Sequence, residues 1–134
     1  SPTFSLNLWA YSTVSSIEIL EIGINYAPGR KIIDNGLPLA IASDFNPGSS
    51  PSGNMNFVVS TACIKMKLTA EEAINAATIN GAYAMGISDK VGSITEGKVA
   101  NLIITKDIKS INEIPYSFGN GKISKVILAG KIIN

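Results

Sequence analysis

Asp44 is the residue of this sequence whose type and position most suggest chemistry. It lies in the segment 42–53, Ala-Ser-Asp-Phe-Asn-Pro-Gly-Ser-Ser-Pro-Ser-Gly, directly after the apolar run 37–41. Where such a run forms a strand of a parallel sheet or barrel, functional side chains collect at its carboxyl end. The alternative is that the Asp44 side chain caps the turn that follows, as Asp does before Asn-Pro-Gly, and spacing alone favours this turn.

The loop after Asp44 has a composition that suits a small ligand. Gly48 allows a close approach of the backbone, which favours the binding of a carboxylate or carbonyl group. Short polar side chains surround it: Asn46, Ser49, Ser50 and Ser52. A plain surface loop has the same composition, so the loop by itself is a weak signal.

The absence of histidine limits what this chain can do alone. Histidine is the commonest metal ligand and the commonest acid–base side chain near neutral pH, and the sequence has none. Any site must rest on carboxylates, amides, hydroxyls and backbone groups, or borrow histidines from elsewhere. The single cysteine, Cys63, falls on an apolar helix stripe and is predicted to fill space in the core, because no histidine is present to activate it.

Composition predicts a folded domain without polyanionic partners. The 134 residues are 46% hydrophobic, which is enough for a core. Eleven basic residues stand against ten acidic ones with no run of like charge, so neither nucleic acid nor an anionic membrane is an expected partner. The single cysteine, the lack of a leader-like start and the shortness of the apolar runs favour a cytoplasmic location.

Alternating strand and helix patterns would position the loop. Residues 3–10 alternate loosely, as a strand does. Pro28 suits a first helical turn, residues 30–34 a short helix, and Asn35-Gly36 its end. The apolar run 39–42 then predicts a strand covered on both faces, as in a parallel sheet.

Two helices are predicted after the loop. Apolar residues recur at steps of three and four over 55–66 and line one face of a helix. Thr69 and Glu72 have the spacing of a capping box at the start of a helix with a small, alanine-rich face. Asn80-Gly81 would break or kink that helix, and Gly86 would end it.

The pattern changes to antiparallel strands near residue 90. Residues 92–97 predict a turn, and the β-branched run 101–105 predicts a buried strand. Residues 122–128 alternate polar and apolar side chains. Ala129-Gly130 can turn the chain so that residues 131–133 return as the second arm of a hairpin.

Three segments are distinctive enough to indicate a family. They are 26–36, Tyr-Ala-Pro-Gly-Arg-Lys-Ile-Ile-Asp-Asn-Gly, the loop 42–50, and 67–86, which begins Lys-Leu-Thr-Ala-Glu-Glu. Together they resemble the imidazolonepropionase family, which belongs to the amidohydrolase superfamily. The string Asp-Phe-Asn-Pro-Gly-Ser is specific to the imidazolonepropionase family. Residues 92–104 resemble the segment by which many amidohydrolases enter their small β-domain, and residues 7–25 look like an insertion.

The resemblance implies a fold class and a domain organisation. The fold would be α/β, the C-terminal part of a metal-dependent (β/α)8 barrel with part of an appended small β-sandwich. Residues 1–90 would supply the last barrel strand and the helices that follow it, and residues 91–134 would supply strands of the β-sandwich. The complete enzyme would be a cytoplasmic homodimer that acts on a small-molecule substrate.

The resemblance also implies a reaction and a site. Such an enzyme hydrolyses the cyclic amide carbon–nitrogen bond of 4-imidazolone-5-propanoate, which yields N-formimino-L-glutamate in histidine degradation. Asp44 would end the last barrel strand, bind one divalent zinc or iron ion, and shuttle a proton between water and the substrate. Asn46, Gly48 and Ser49 would contact substrate or product.

The departures from the family pattern restrict this interpretation. The family's metal histidines, its substrate-binding arginine and tyrosine and its catalytic glutamate come from earlier strands, whereas this chain has no histidine and at most two candidate barrel strands. We therefore expect the C-terminal portion of a larger enzyme, inactive by itself. Asn101 replaces an Asp usual in amidohydrolases, outside the catalytic site. Two alternatives stay open: another cyclic amidohydrolase or deaminase on the same barrel, or a non-catalytic assembly fragment.

Overall fold

The computed structural model describes residues 10–13, 26–48 and 50–133. The strand pattern at residues 3–10 lies outside the described residues, apart from Ala10. In the described part, no helix has the length and apolar character needed to cross a bilayer. In chain order the elements are β1 Ala10–Thr13, α1 Gly29–Asp34, β2 Leu39–Ala42, α2 Met55–Lys65, α3 Ala70–Ala77, α4 Ile79–Ala84, β3 Leu102–Thr105, α5 Glu113–Tyr116, β4 Ile123–Leu128 and β5 Lys131–Ile132.

β2 is the buried centre of the described structure. Its residues 39–41 are only 1%, 6% and 3% exposed, as expected of a strand covered on both faces. β1 pairs with it in parallel, with Ala10 opposite Leu39 and Thr13 opposite Ala42. Helices α1 to α4 all contact β2. The predicted parallel strand is confirmed.

The core joins β2 to the helices that cover it. Complete burial of a Leu, Ile or Val side chain contributes about 1.5–3 kcal/mol, so these side chains are the main source of stability. The small alanine face of α3 lets this helix pack closely against β2, as its sequence predicts. The buried cluster consists of Leu39, Ile41, Val58, Val59, Ala62, Met66, Leu68, Ala73 and Ala76.

The helix ends follow their local sequence signals. α1 begins after Pro28 and stops before Gly36, whose φ of +71° is the left-handed conformation that glycine favours. At the start of α3, Glu72 N donates to Thr69 Oγ1 at 3.2 Å, and Thr69 N donates to Glu72 Oε2 at 2.8 Å. The predicted capping box is therefore confirmed.

One ion pair joins α1 to α3. Arg30 Nη1 and Nη2 donate to Glu72 Oε2 and Oε1 at 2.9 and 3.0 Å, which makes the pair bidentate. Arg30 Nε also donates to Asp34 Oδ1 at 2.8 Å. The hydrogen bonds from Arg30, followed by that from the Thr69 amide, lower the pKa of Glu72. The Glu72 carboxylate thus caps the start of α3 and also binds Arg30 of α1.

The break between α3 and α4 lies at Thr78, so the prediction of a break at Asn80-Gly81 is wrong. Thr78 has φ −115° and ψ −88°, and Asn80 and Gly81 lie inside α4. The Thr78 hydroxyl donates to the Ile74 carbonyl at 2.7 Å, an interaction that tends to bend a helix. The new direction lets Asn80 Nδ2 donate to the Leu39 carbonyl at 2.8 Å. Gly86, with φ +70°, follows the end of α4 as predicted.

β3, β4 and β5 form an antiparallel sheet in that order. The turn between β4 and β5 has positive φ at both Ala129 (+48°) and Gly130 (+79°), which matches the twist of a two-residue hairpin. The predicted hairpin is confirmed. The short helix α5, between β3 and β4, was not predicted.

The prediction that β3 is a buried strand is wrong for the described part of the chain. Ile103 is 54% exposed and Ile104 is 45% exposed. A β-branched run favours a strand whatever covers it. The residue types therefore predicted the strand correctly but carried no information about its neighbours.

Residues beyond 90 pack against the helices that precede them. The Phe57 and Phe118 rings meet edge to face with centroids 5.6 Å apart, and α5 lies against α2. Gly92 approaches α4 closely. The division into a barrel part, 1–90, and a β-sandwich part, 91–134, stays a prediction.

Gly92→Ala should destabilise the protein more than Gly97→Ala. Both glycines have left-handed φ, +96° and +86°, so alanine is strained at either position. At Gly92 the new Cβ would also lie 2.7 Å from Ala82 Cβ and 3.1 Å from Ile79 Cα, whereas no atom lies within 4 Å at Gly97. We expect losses of about 1–2 kcal/mol for Gly97→Ala and about 2–5 kcal/mol for Gly92→Ala in urea unfolding. Equal losses would contradict the close packing of Gly92 on α4.

Candidate functional site

Asp44 lies two residues beyond β2, at the carboxyl end of a parallel strand, and is exposed. Its φ is +50°, in the left-handed region. This conformation costs roughly 1–2 kcal/mol for residues other than glycine, although Asp and Asn tolerate it better than most. A non-glycine residue held there by its surroundings is a common feature of functional sites.

The Asp44 carboxylate makes no hydrogen bond or ion pair to any other described residue. Among the described residues, the Asp44 side chain therefore does not cap the following turn. Asn46 does the capping instead: its Oδ1 accepts from Gly48 N at 3.0 Å, and its Nδ2 donates to the Asp44 carbonyl at 2.7 Å. The Asp44 carboxylate is left available for other partners.

Ser50 holds the base of the loop. It is 2% exposed, and its Oγ donates to the Ser43 carbonyl at 2.7 Å. Asn46 N donates to the Ser50 carbonyl at 2.9 Å, in an isolated antiparallel bridge. The sequence did not single out Ser50, because the loop carries Ser49, Ser50 and Ser52 without any pattern that marks one of them as buried.

The predicted substrate-binding residues lie in the same loop as Asp44. Asn46 is half-buried and Gly48 is exposed, whereas Ser49 lies outside the described residues. An added Cβ at Gly48 would lie 3.3 Å from Asn46 Oδ1, so a larger residue would crowd the capping amide. Contact of these residues with a substrate stays a prediction.

A divalent metal ion would find one ligand here. Across the described ranges, no group of three or more His, Cys, Asp or Glu side chains could hold a metal ion. A catalytic zinc site takes three protein ligands and an open position, so Asp44 alone is not a site. Its exposed carboxylate, without a described partner, suits one ligand position among several.

Cys63 is half-buried on α2 and shows no sign of activation. Burial, followed by the charges of Glu71 and Glu72, raises the pKa of its thiol. A thiol with a raised pKa is a poor nucleophile at neutral pH. The prediction that Cys63 has a packing role is consistent with this environment, although the side chain is not fully buried.

The amidohydrolase family model matches residues 10–133. The chain belongs to the amidohydrolase family. Curated relatives of this amidohydrolase chain include the imidazolonepropionase of Flavobacterium johnsoniae, 68% identical over 84% of the chain, and that of Christiangramia forsetii, 64% identical over 85%. The chain spans 27% and 28% of the lengths of these two relatives. The resemblance to imidazolonepropionases is confirmed.

Solved structures share the fold of this chain. An adenosine deaminase from Xanthomonas campestris with bound zinc is 25% identical, with a TM-score of 0.77 over 91% of this chain and 31% of that one. A 5-methylcytosine deaminase from Klebsiella pneumoniae, 19% identical, has a TM-score of 0.70 over 95% of this chain and 33% of that one, a likeness of fold alone. The predicted fold class, part of an α/β amidohydrolase barrel, is confirmed.

Asp44→Gly should give a more stable amidohydrolase chain than Asp44→Ala. Both variants lose the carboxylate, so the comparison isolates the left-handed backbone, which favours glycine by about 1 kcal/mol. Asn75, exposed within α3, is the control: there alanine should be more stable than glycine by about 0.5–1 kcal/mol. Urea unfolding measures all four variants. A glycine variant less stable than the alanine variant at position 44 would contradict the backbone described.

Proposed function

We propose that this chain is part of an imidazolonepropionase, which hydrolyses 4-imidazolone-5-propanoate to N-formimino-L-glutamate in histidine degradation. The observation that carries the proposal is the identity of 68% and 64% to two imidazolonepropionases over 84% and 85% of the chain. Because the chain spans less than a third of those relatives, the activity is proposed for the larger protein.

Asp44 is proposed as one metal ligand and as the proton shuttle of this reaction. Its support is an exposed carboxylate at the carboxyl end of a parallel strand, without a partner among the described residues. Asp44 and ligands from earlier strands would hold a divalent ion, zinc or iron, which would lower the pKa of a water molecule towards neutrality. The Asp44 carboxylate then accepts the proton of the attacking water and returns it to the ring nitrogen as the carbon–nitrogen bond breaks.

The loop and the remaining family properties complete the proposal. Asn46, Gly48 and Ser49 would bind the small-molecule substrate beside Asp44, and the other metal ligands would come from earlier strands. Zinc is supported by the deaminase neighbour that contains it. Three further properties follow from the family resemblance and are proposed with the activity. They are homodimer formation, a cytoplasmic location and a β-sandwich built from residues 91–134.

Asp44→Asn in the complete enzyme should lower kcat by about 10²–10⁴-fold or more, because the amide can neither accept the proton nor bind the metal as an anion. The thermal unfolding temperature should stay close to that of the unmodified enzyme, since the side chain is exposed. Steady-state hydrolysis of the imidazolone and differential scanning fluorimetry measure the two effects. Wild-type turnover in this variant would refute the proposed role of Asp44.

A second candidate activity is deamination, which the likeness to the zinc-containing adenosine deaminase favours. The complete enzyme can be assayed against imidazolones, hydantoins, lactams and aminopurines. We expect the imidazolone to give the highest kcat/KM. A higher value for an aminopurine, with release of ammonia, would replace the proposed reaction with deamination.

A further inference from the structure

Ser50 is an unusual residue for an exposed loop. Its side chain is only 2% exposed, although Gly48 and Pro51 on either side of it are exposed. A buried hydroxyl needs a hydrogen-bond partner, and that of Ser50 is the Ser43 carbonyl at 2.7 Å. This carbonyl belongs to the peptide group that leads into Asp44.

The two peptide groups that flank Asp44 are each held by one loop side chain. Ser50 Oγ holds the group before it through the Ser43 carbonyl, and Asn46 Nδ2 holds the group after it through the Asp44 carbonyl. Because peptide groups are planar, fixing both leaves little freedom in φ and ψ between them. The left-handed backbone of Asp44, with φ +50°, is therefore fixed from both sides.

The direction of the Asp44 carboxylate depends on this backbone. No other described residue bonds to the carboxylate, so no side-chain contact in the described structure can correct a displaced main chain. Ligands of catalytic metal ions are oriented by surrounding hydrogen bonds, and loss of such a bond weakens metal affinity or activity. Here the orienting bond acts on the main chain and not on the ligand itself.

We propose that Ser50 is a positioning residue, whose buried hydroxyl fixes the Ser43–Asp44 peptide group and thereby aims the Asp44 carboxylate at one ligand position of a divalent ion. The proposal rests on the proposed function of Asp44. Ser50 does not contact substrate in this account, because it is buried beneath the loop. Loss of the Ser50 hydroxyl should therefore lower metal affinity and kcat, with a much smaller effect on KM.

The test uses the complete enzyme with Ser50→Ala and Ser50→Cys. The alanine removes the hydroxyl with little change in volume, and the cysteine replaces it with a larger group that is only a weak donor. Ser60→Ala is the matched control, since Ser60 is also buried, at 4% exposure, but lies in α2 and outside the loop. The measurements are the Zn²⁺ dissociation constant by competition with a chelator, kcat and KM, and the thermal unfolding temperature.

We expect both Ser50 variants to raise the Zn²⁺ dissociation constant about tenfold or more and to lower kcat by a similar factor, with KM nearly unchanged. Ser60→Ala should match the unmodified enzyme in Zn²⁺ affinity and kcat. Unchanged Zn²⁺ affinity and kcat in either Ser50 variant would overturn the proposal, even if its unfolding temperature falls. So would equal losses in Ser60→Ala.

Asp44→Asn, measured in parallel, separates this inference from the proposed function. If Asp44→Asn binds Zn²⁺ and turns over normally, the proposed role of Asp44 fails, and the Ser50 proposal fails with it. If Asp44→Asn loses both properties while the Ser50 variants keep them, only the positioning role is overturned. The Zn²⁺ measurement needs no substrate, so it is valid even if the reaction is another hydrolysis.

Discussion

The burial of β2 is the constraint on which the rest of the described structure depends. A strand covered on both faces cannot leave its backbone polar groups without partners. β1 pairs with it, and the Asn80 amide donates to the Leu39 carbonyl. Burial ends abruptly, because Ile41 is 3% exposed whereas Ala42 is exposed. Asp44 is the first charged residue beyond this boundary, which is why its carboxylate reaches solvent close to the core.

Local signals explain which parts of the fold the sequence predicted. The capping box of Thr69 and Glu72 and the turn at Ala129-Gly130 depend on residues a few positions apart, so their types were sufficient. The break at Thr78 was missed because local residue types do not show that Asn80 bonds to the Leu39 carbonyl of β2, far away in the sequence. The exposure of Ile103 was missed for a similar reason, since a strand pattern does not specify which layers cover it.

The candidate site shows the same division between local and distant information. The position of Asp44 at a strand end could be predicted from the apolar run before it, and the resemblance to imidazolonepropionases supplied a role for it. Its left-handed backbone and the burial of Ser50 could not be predicted, because they accompany hydrogen bonds from Ser50 to the Ser43 carbonyl and from Asn46 to the Asp44 carbonyl. Asn46 was predicted to bind substrate, but its amide also shapes the loop. A polar loop residue can thus have a structural task that its type does not reveal.

The shared carboxylate of Glu72 links α1 to α3. Its oxygens accept hydrogen bonds from Arg30 on α1 and from the Thr69 amide at the start of α3. Proteins open locally in contiguous groups of elements whose contacts are lost together. If α1 detaches, the carboxylate loses its bidentate partner and is free to leave the Thr69 amide as well. Amide protons in the first turn of α3 would then exchange with solvent in step with those of α1, although a strand and a helix separate the two in the sequence.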